Sequence, residues 1–282
     1  MSSTTPQRFC QATKLFTICH ILPIIFCHNL YANETVKICD DDGEWPPFIY
    51  YQRVNGKPDK SKLTGASVEL IDAAFKLTSF SYSLHLLPWQ RCLDEVNHFG
   101  KRGNFEALTN ASFSMERAKK YYATTSIYQL HSGIFYSKDK FPDGPVINQP
   151  SDLNNFKLCG VLGYNYEYLY TKYGLNKNKT INTGANNIFS VLTMIANNRC
   201  DIFENSLEPI YGAVLLGKYT LPSNIASAPL VNVDNIDYHI HIAKTSPRAH
   251  KILTELNQAI LILQHQGVSK KIFDKYLKSL RH

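Results

Sequence analysis

The sequence is poor in the residues that mark fibrous chains. Its 14 Gly and 13 Pro among 282 residues, without period, exclude a collagen-like or mucin-like polymer. Charged residues make up only 19% and hydrophobic residues 44%, which is not the composition of a disordered chain. No run of five or more basic residues occurs and the net charge is a modest +7, so a nucleic-acid partner or a polybasic membrane surface has little support. No apolar stretch approaches the ~20 residues that a membrane-spanning helix needs. What remains is a globular chain, long enough for two domains that each bury a core.

The first thirty residues differ from the rest. Arg8 and Lys14 precede an apolar core from Leu15 to Phe26, and Leu30-Tyr31-Ala32 supplies a small residue before a cut. We expect a secretory signal over residues 1–32, removed after Ala32. Lipid attachment at Cys27 is disfavoured because Ile25-Phe26 are not small. Removal takes Cys10, Cys19 and Cys27 and leaves Cys39, Cys92, Cys159 and Cys200, an even set suited to two disulfides with three possible connectivities. No two of these four have metal-ligand spacing and no His cluster joins them, so neither a metal nor a cofactor is expected.

Hydrophobic periodicity alternates strands and helices. Val36 to Cys39 reads as a strand ending at Asp40-Asp41-Asp42, and Val68, Ile71 and Phe75 fall on one face of a helix after Gly65. Tyr82, Leu84 and Leu86 alternate as a strand, Pro88-Trp89 opens a helix, and Phe105 to Thr109 is the next strand. A second unit has a strand at Leu158 to Val161, a helix from Asn187 to Asn198 and a strand at Asp201 to Phe203. Between the units, Gln129 to Ser137 reads as extended, with loop signals from Lys138 to Asp152. Tyr238, Ile240 and Ile242 form a returning strand, with His239 and His241 expected on its outer face rather than as a metal pair. Two helices follow, one carrying Ile252, Leu256, Ile260 and Leu263, the other Ile272, Phe273, Tyr276 and Leu280. Such βαβ order favours ligand binding beyond the carboxyl ends of parallel strands.

The series Asp42…Trp45-Pro46-Pro47-Phe48, Gly65…Glu69-Leu70, Pro88-Trp89-Gln90-Arg91-Cys92-Leu93, Ser112-Phe113-Ser114-Met115-Glu116-Arg117 and Val161-Leu162-Gly163-Tyr164 resembles the family-3 periplasmic solute-binding proteins. These are the polar amino-acid receptors of ABC importers. The resemblance implies an α/β, two-lobe type II periplasmic-binding-protein fold with two hinge crossings. Lobe 1 would comprise residues 33–129 and 237–282, lobe 2 residues 130–236. It implies a monomer that binds a small polar solute, an amino acid or related compound, and delivers it to an ABC permease.

It also implies a site. Arg117 corresponds to the carboxylate-binding arginine, whose planar fork grips both oxygens. If Ser114 caps the helix, Arg117 lies in its first turn, where the helix dipole disfavours a cation by ~0.3–1 kcal/mol, so its placement points to function. Asn110 and Ser112 are expected to contact the ligand, Trp45 and Trp89 to wall it, and Asp42 to meet its ammonium. In lobe 2, backbone N–H groups of Gly163-Tyr164-Asn165 are expected to meet an anionic group. Tyr164, where the family carries Thr or Ser, implies an altered pocket. Glu204 is the nearest lobe-2 acid, two residues before the usual Asp, whose place Ser206 takes; Glu208 is a further candidate and Asp201 is read as structural. Arg91, Lys119 and Lys120 are read as surface residues. A bridge between lobes would hinder closure, so the expected pairs are Cys39 with Cys92 and Cys159 with Cys200. Two alternatives stay open: a periplasmic enzyme of the cyclohexadienyl dehydratase type, and a sensory or accessory binding protein without a transporter.

Overall fold

The structure, a computed structural model, describes residues 35–278; the expected export signal and Leu280 lie outside them. From the first described residue the chain runs β1 (Thr35–Asp41), a hairpin of β2 (Tyr50–Val54) and β3 (Lys57–Thr64), α1 (Ala66–Phe75), β4 (Ser81–Leu87), α2 (Trp89–Asn97), α3 (Phe99–Arg102), β5 (Ala107–Ser112), α4 (Met115–Lys120), β6 (Tyr121–Ala123) and β7 (Tyr128–Leu130). It continues through β8 (Ser132–Ser137), β9 (Leu158–Val161), α5 (Glu167–Thr171), β10 (Ile181–Ala185), α6 (Ile188–Ala196), β11 (Ile202–Ser206), α7 (Leu207–Leu215) and β12 (Ile225–Pro229). It then returns through β13 (Ile236–Ala243), α8 (Ala249–His265) and α9 (Val268–Leu277).

Apart from the two-stranded β2–β3 hairpin, these strands form two sheets, one per lobe. The first is ordered β4-β1-β5-β13-β6 with β7 beside β13, the second β10-β9-β11-β8-β12. β1 runs parallel to β4 and β5, and β9 parallel to β10 and β11. The strands that arrive by crossing, β13 and β8, run antiparallel to their neighbours. The chain leaves the first sheet between Leu130 and Ser132 and comes back between Pro229 and Ile236. The two crossings run side by side, with Leu230 N donating to Ser132 O at 3.0 Å.

Both faces of each sheet are covered. Ile252, Leu256, Ala259, Ile260 and Leu263 share one buried face of α8, which packs with α1 against Val36, Ile38, Ile240 and Ile242. Burying each such aliphatic side chain contributes roughly 1.5–3 kcal/mol. The opposite face holds Cys39, Cys92, Val96 and Leu108 under α2. In the second lobe, Val191, Leu192 and Ile195 of α6 pack on Phe135 and Phe203, with Leu158, Leu169 and Ile202 on the other side. Cys39 pairs with Cys92 (Cα–Cα 5.7 Å) and Cys159 with Cys200 (Cα–Cα 5.8 Å), each bridge staying within one lobe as expected.

Two readings are corrected here. β5 and β11 run further than expected, so Asn110, Ser112 and Glu204 lie within strands rather than just beyond Thr109 and Phe203. His241 is not on an outer face: β13 lies inside its sheet, and the imidazole is 1% exposed, with Nε2–H donating to Ala111 O at 3.1 Å. Burial pushes its pKa from 6.5 down to about 3, so it stays neutral. His239 is half-buried, its Nδ1–H donating to Thr124 O at 2.8 Å.

Candidate functional site

The carboxyl ends of β1, β5 and β11 meet at a cavity of about 60 Å³ between the sheets. At roughly 10–15 Å³ per water it has room for only a few waters. A larger groove of about 700 Å³ adjoins it and shares Asp41, Trp89 and Tyr164 as walls.

Arg117 is built into the first lobe as expected. Ser114 caps α4, its Oγ accepting from Arg117 N at 3.1 Å, and the Arg117 side chain is buried on the cavity wall. Its Nη1 donates to Ser112 O at 2.8 Å and to Ser112 Oγ at 3.4 Å, while Nη2 reaches across the cleft to Gly163 O at 3.3 Å. Burial lowers its pKa, yet a guanidinium that starts at 12.5 remains charged. Trp89 lies beside it, with the Arg117 guanidinium 5.7 Å from the ring centroid, and its Nε1 donates to the same Gly163 carbonyl at 3.0 Å. Trp45 is a wall residue whose buried Nε1 has no hydrogen-bond partner among the described residues; it contacts Tyr164 edge-on at 6.0 Å and Tyr238 at 6.0 Å.

The acidic wall is not the expected one. Asp42 is exposed and faces the outer groove, whereas Asp40 and Asp41 line the cavity because β1 continues through both. Asp40 Oδ2 accepts from Asn110 Nδ2 at 2.5 Å and Oδ1 from Asp41 N at 2.7 Å. Burial raises Asp40 to about 8 and Asp41 to about 6. Asn110, at a left-handed φ of 52°, is held by Ser67 Oγ (2.6 Å) and Tyr128 Oη (2.9 Å), both donating to its amide oxygen. Its side chain is thus spent on positioning Asp40.

In the second lobe Glu204 projects from β11 into the cavity and is 3% exposed. Oε2 accepts from Tyr168 Oη, and Oε1 has no hydrogen-bond partner among the described residues. Burial lifts its pKa from 4.5 to about 7. Ser206 also lines the cavity, opposite Tyr238 Oη at 3.4 Å. The expected anion site at Gly163-Tyr164-Asn165 is corrected. Tyr164 N is used in a turn to Val161 O (3.2 Å), and Gly163 offers its carbonyl to Trp89 and Arg117 of the first lobe. Asn165 instead bridges the lobes, Nδ2 donating to Ser112 Oγ (3.0 Å) and Phe113 O (2.8 Å). Tyr164 stands in the cavity wall.

The remaining candidates lie outside the cavity. Asp201 pairs with Lys140 and accepts from Lys157 N at 2.8 Å, a structural role. Glu208 faces His131 at 3.6 Å. Arg91 is exposed beside Glu95, and Lys119 and Lys120 are exposed on α4. Sequence reasoning missed Asp40, Asp41, Tyr238 and Asn205 as wall residues. Of these, the first two had a signal, the acidic run at a strand end.

The description "bacterial extracellular solute-binding proteins, family 3" matches residues 38–279, and the chain belongs to that family. No curated protein matches the sequence. Among solved structures, the amino-acid ABC transporter substrate-binding protein AbpA of Streptococcus pneumoniae, bound to L-arginine, is 18% identical with a TM-score of 0.65, covering 87% of this chain and 95% of that one. A histidine kinase sensor domain with similarity to periplasmic binding proteins is 20% identical (TM-score 0.63, 87% and 97% covered). An ancestral amino-acid-binding protein, a precursor of cyclohexadienyl dehydratase, is 18% identical (TM-score 0.60, 86% and 95% covered). The fold is therefore the type II periplasmic-binding-protein fold.

Proposed function

We propose that this family-3 protein is an exported receptor that captures a small polar solute, an amino acid or related compound, between its lobes by hinge closure. One observation carries the reading. One cavity sets the buried guanidinium of Arg117 on one lobe against the buried carboxyl of Glu204 on the other, one of whose oxygens has no hydrogen-bond partner among the described residues. That is the complement of a zwitterion, whose charges can be buried only when paired.

In this reading Arg117 and Ser112 hold the ligand carboxylate, Glu204 receives its ammonium, and Trp45, Trp89 and Tyr164 wall its body. Asn110 positions Asp40. Contacts to both lobes exist only when the cleft is shut, so the ligand shifts the balance toward the closed form. The closed monomer then delivers its solute to an ABC permease, with the signal removed near Ala32 and the protein outside the cytoplasmic membrane. The family description and the arginine-bound AbpA support this reading. It is tested by thermal-shift screening against amino acids, small carboxylates and polyamines. A ligand at 100 times its Kd adds roughly 2.7 kcal/mol of stability. No shift with any amino acid would count against it.

A second reading has its own observation: a buried Glu204 titrating at about 7 suits a general acid, and the ancestral dehydratase precursor shares the fold. Formation of phenylpyruvate from prephenate, lost in Glu204→Gln, would favour that enzyme activity over simple binding.

A further inference from the structure

The lobes touch at two places where one partner has no side chain. Gly163, after β9, lies against the start of α2; a Cβ there would overlap Gln90 Nε2 and sit 3.2 Å from Trp89 Cδ1. Gly212, in α7, lies against the peptide joining Pro46 and Pro47; a Cβ there would overlap Pro46 O and sit 2.7 Å from Pro46 C and 3.0 Å from Pro47 N. The obstructing atoms at Gly212 are backbone, which cannot swing aside as a flexible side chain can.

The two glycines differ in one respect. Gly163 has a φ of 79°, so its own turn already calls for glycine. Gly212 has no such conformation: it lies inside the helix Leu207–Leu215, where Ala is intrinsically the better residue. Its three nearest contacts all belong to Pro46 and Pro47 of the other lobe. The seam continues just beyond α7, where Lys218 Nζ lies 3.4 Å from Glu44 Oε2.

We propose that Gly212 sets whether the lobes can close: its missing side chain lets α7 seat on the Pro46-Pro47 backbone, and any larger residue props the cleft open. This rests on the hinge-closure reading and adds to it a positioning residue outside the cavity. Substitution to Ala should help α7 locally while opposing the seam, an opposition that a purely structural role would not produce.

The test compares the purified full chain with Gly212→Ala and Gly212→Val, each with and without a mixture of the twenty amino acids. Carbodiimide cross-linking of Lys218 to Glu44, read by peptide mass spectrometry, reports the seam; small-angle scattering reports compaction. In the condition where the wild type gives the cross-link, Gly212→Ala should lose roughly tenfold or more of it and expand, Val more so, with a thermal midpoint no lower than wild type in the open state. Wild-type cross-linking and scattering in Gly212→Ala would overturn the proposal. So would a wild type that never cross-links, or a Gly212→Ala that fails to fold, which would place the glycine in packing within its own lobe. A wild type that cross-links but ignores the amino acids counts against the receptor reading and still decides the role of Gly212.

Discussion

Arg117 on the first lobe and Gly163 on the second are joined directly, Nη2 donating to the glycine carbonyl at 3.3 Å, and Trp89 Nε1 donates to the same oxygen at 3.0 Å. The guanidinium assigned to the ligand carboxylate thus also helps hold the lobes together. Trp89→Phe removes the indole donor while keeping an aromatic wall. At about 0.5–1.5 kcal/mol net for one hydrogen bond, ligand affinity should fall by roughly 2–10-fold. Unchanged affinity, measured by calorimetry, would show that the Gly163 contact does not contribute to closure.

The chain has two tryptophans, and both line the cavity. Ligand capture should therefore change the intrinsic fluorescence. In Trp45→Phe the remaining signal comes from Trp89, which crosses the cleft, so it reports closure. Emission that does not respond to a ligand detected by thermal shift would contradict the placement of that ligand in this cavity.

Glu204 gives the stability a predictable pH dependence. Its pKa is raised from 4.5 to about 7, so the folded protein binds that proton more tightly than the unfolded chain. The corresponding stability is fully present below pH 4.5 and is lost as pH rises through about 7, by about 3 kcal/mol. His241, lowered to about 3, acts in the opposite sense, destabilising the fold as pH falls below 6.5. Glu204→Gln isolates the first effect. Its thermal midpoint relative to wild type should rise progressively from about pH 5 to about pH 8 in the ligand-free protein. Parallel curves would show that Glu204 is not buried as described. Because an ammonium needs the ionised carboxyl, ligand affinity should increase over the same window.

The disulfides close loops with sequence separations of 53 and 41 residues. Chain entropy assigns each about 4 kcal/mol of destabilisation of the unfolded state. Replacing both members of either pair by Ser should lower the unfolding free energy by about 2–4 kcal/mol while leaving ligand affinity near wild type, since neither bridge crosses the cleft. Peptide mapping without reduction checks the pairing, and a lobe-crossing bridge would contradict the hinge.

Much of this was legible in sequence. The capped helix at Ser114 announces Arg117, and the period of α8 announces its buried face. Asp42 was the wrong acid because a run of three aspartates does not show where the strand ends; β1 runs on through Asp41 and buries Asp40. His241 was misread because alternation identifies a face of a strand but not whether another layer covers it. The hairpin of β2 and β3 contains Lys57-Pro58-Asp59-Lys60-Ser61-Lys62, which has no apolar alternation to announce it. Gly212 could not be read at all, because its environment is supplied by residues more than 160 positions earlier, Pro46 and Pro47.

The most direct test titrates the wild type and Arg117→Ala by calorimetry with whichever of the twenty amino acids stabilises the wild type. Losing a buried charge-paired guanidinium costs about 2–5 kcal/mol, so the variant should bind at least roughly 30-fold more weakly while remaining folded. Full affinity in Arg117→Ala, or no binding of any amino acid to the wild type, would contradict the assignment of this cavity to an amino acid.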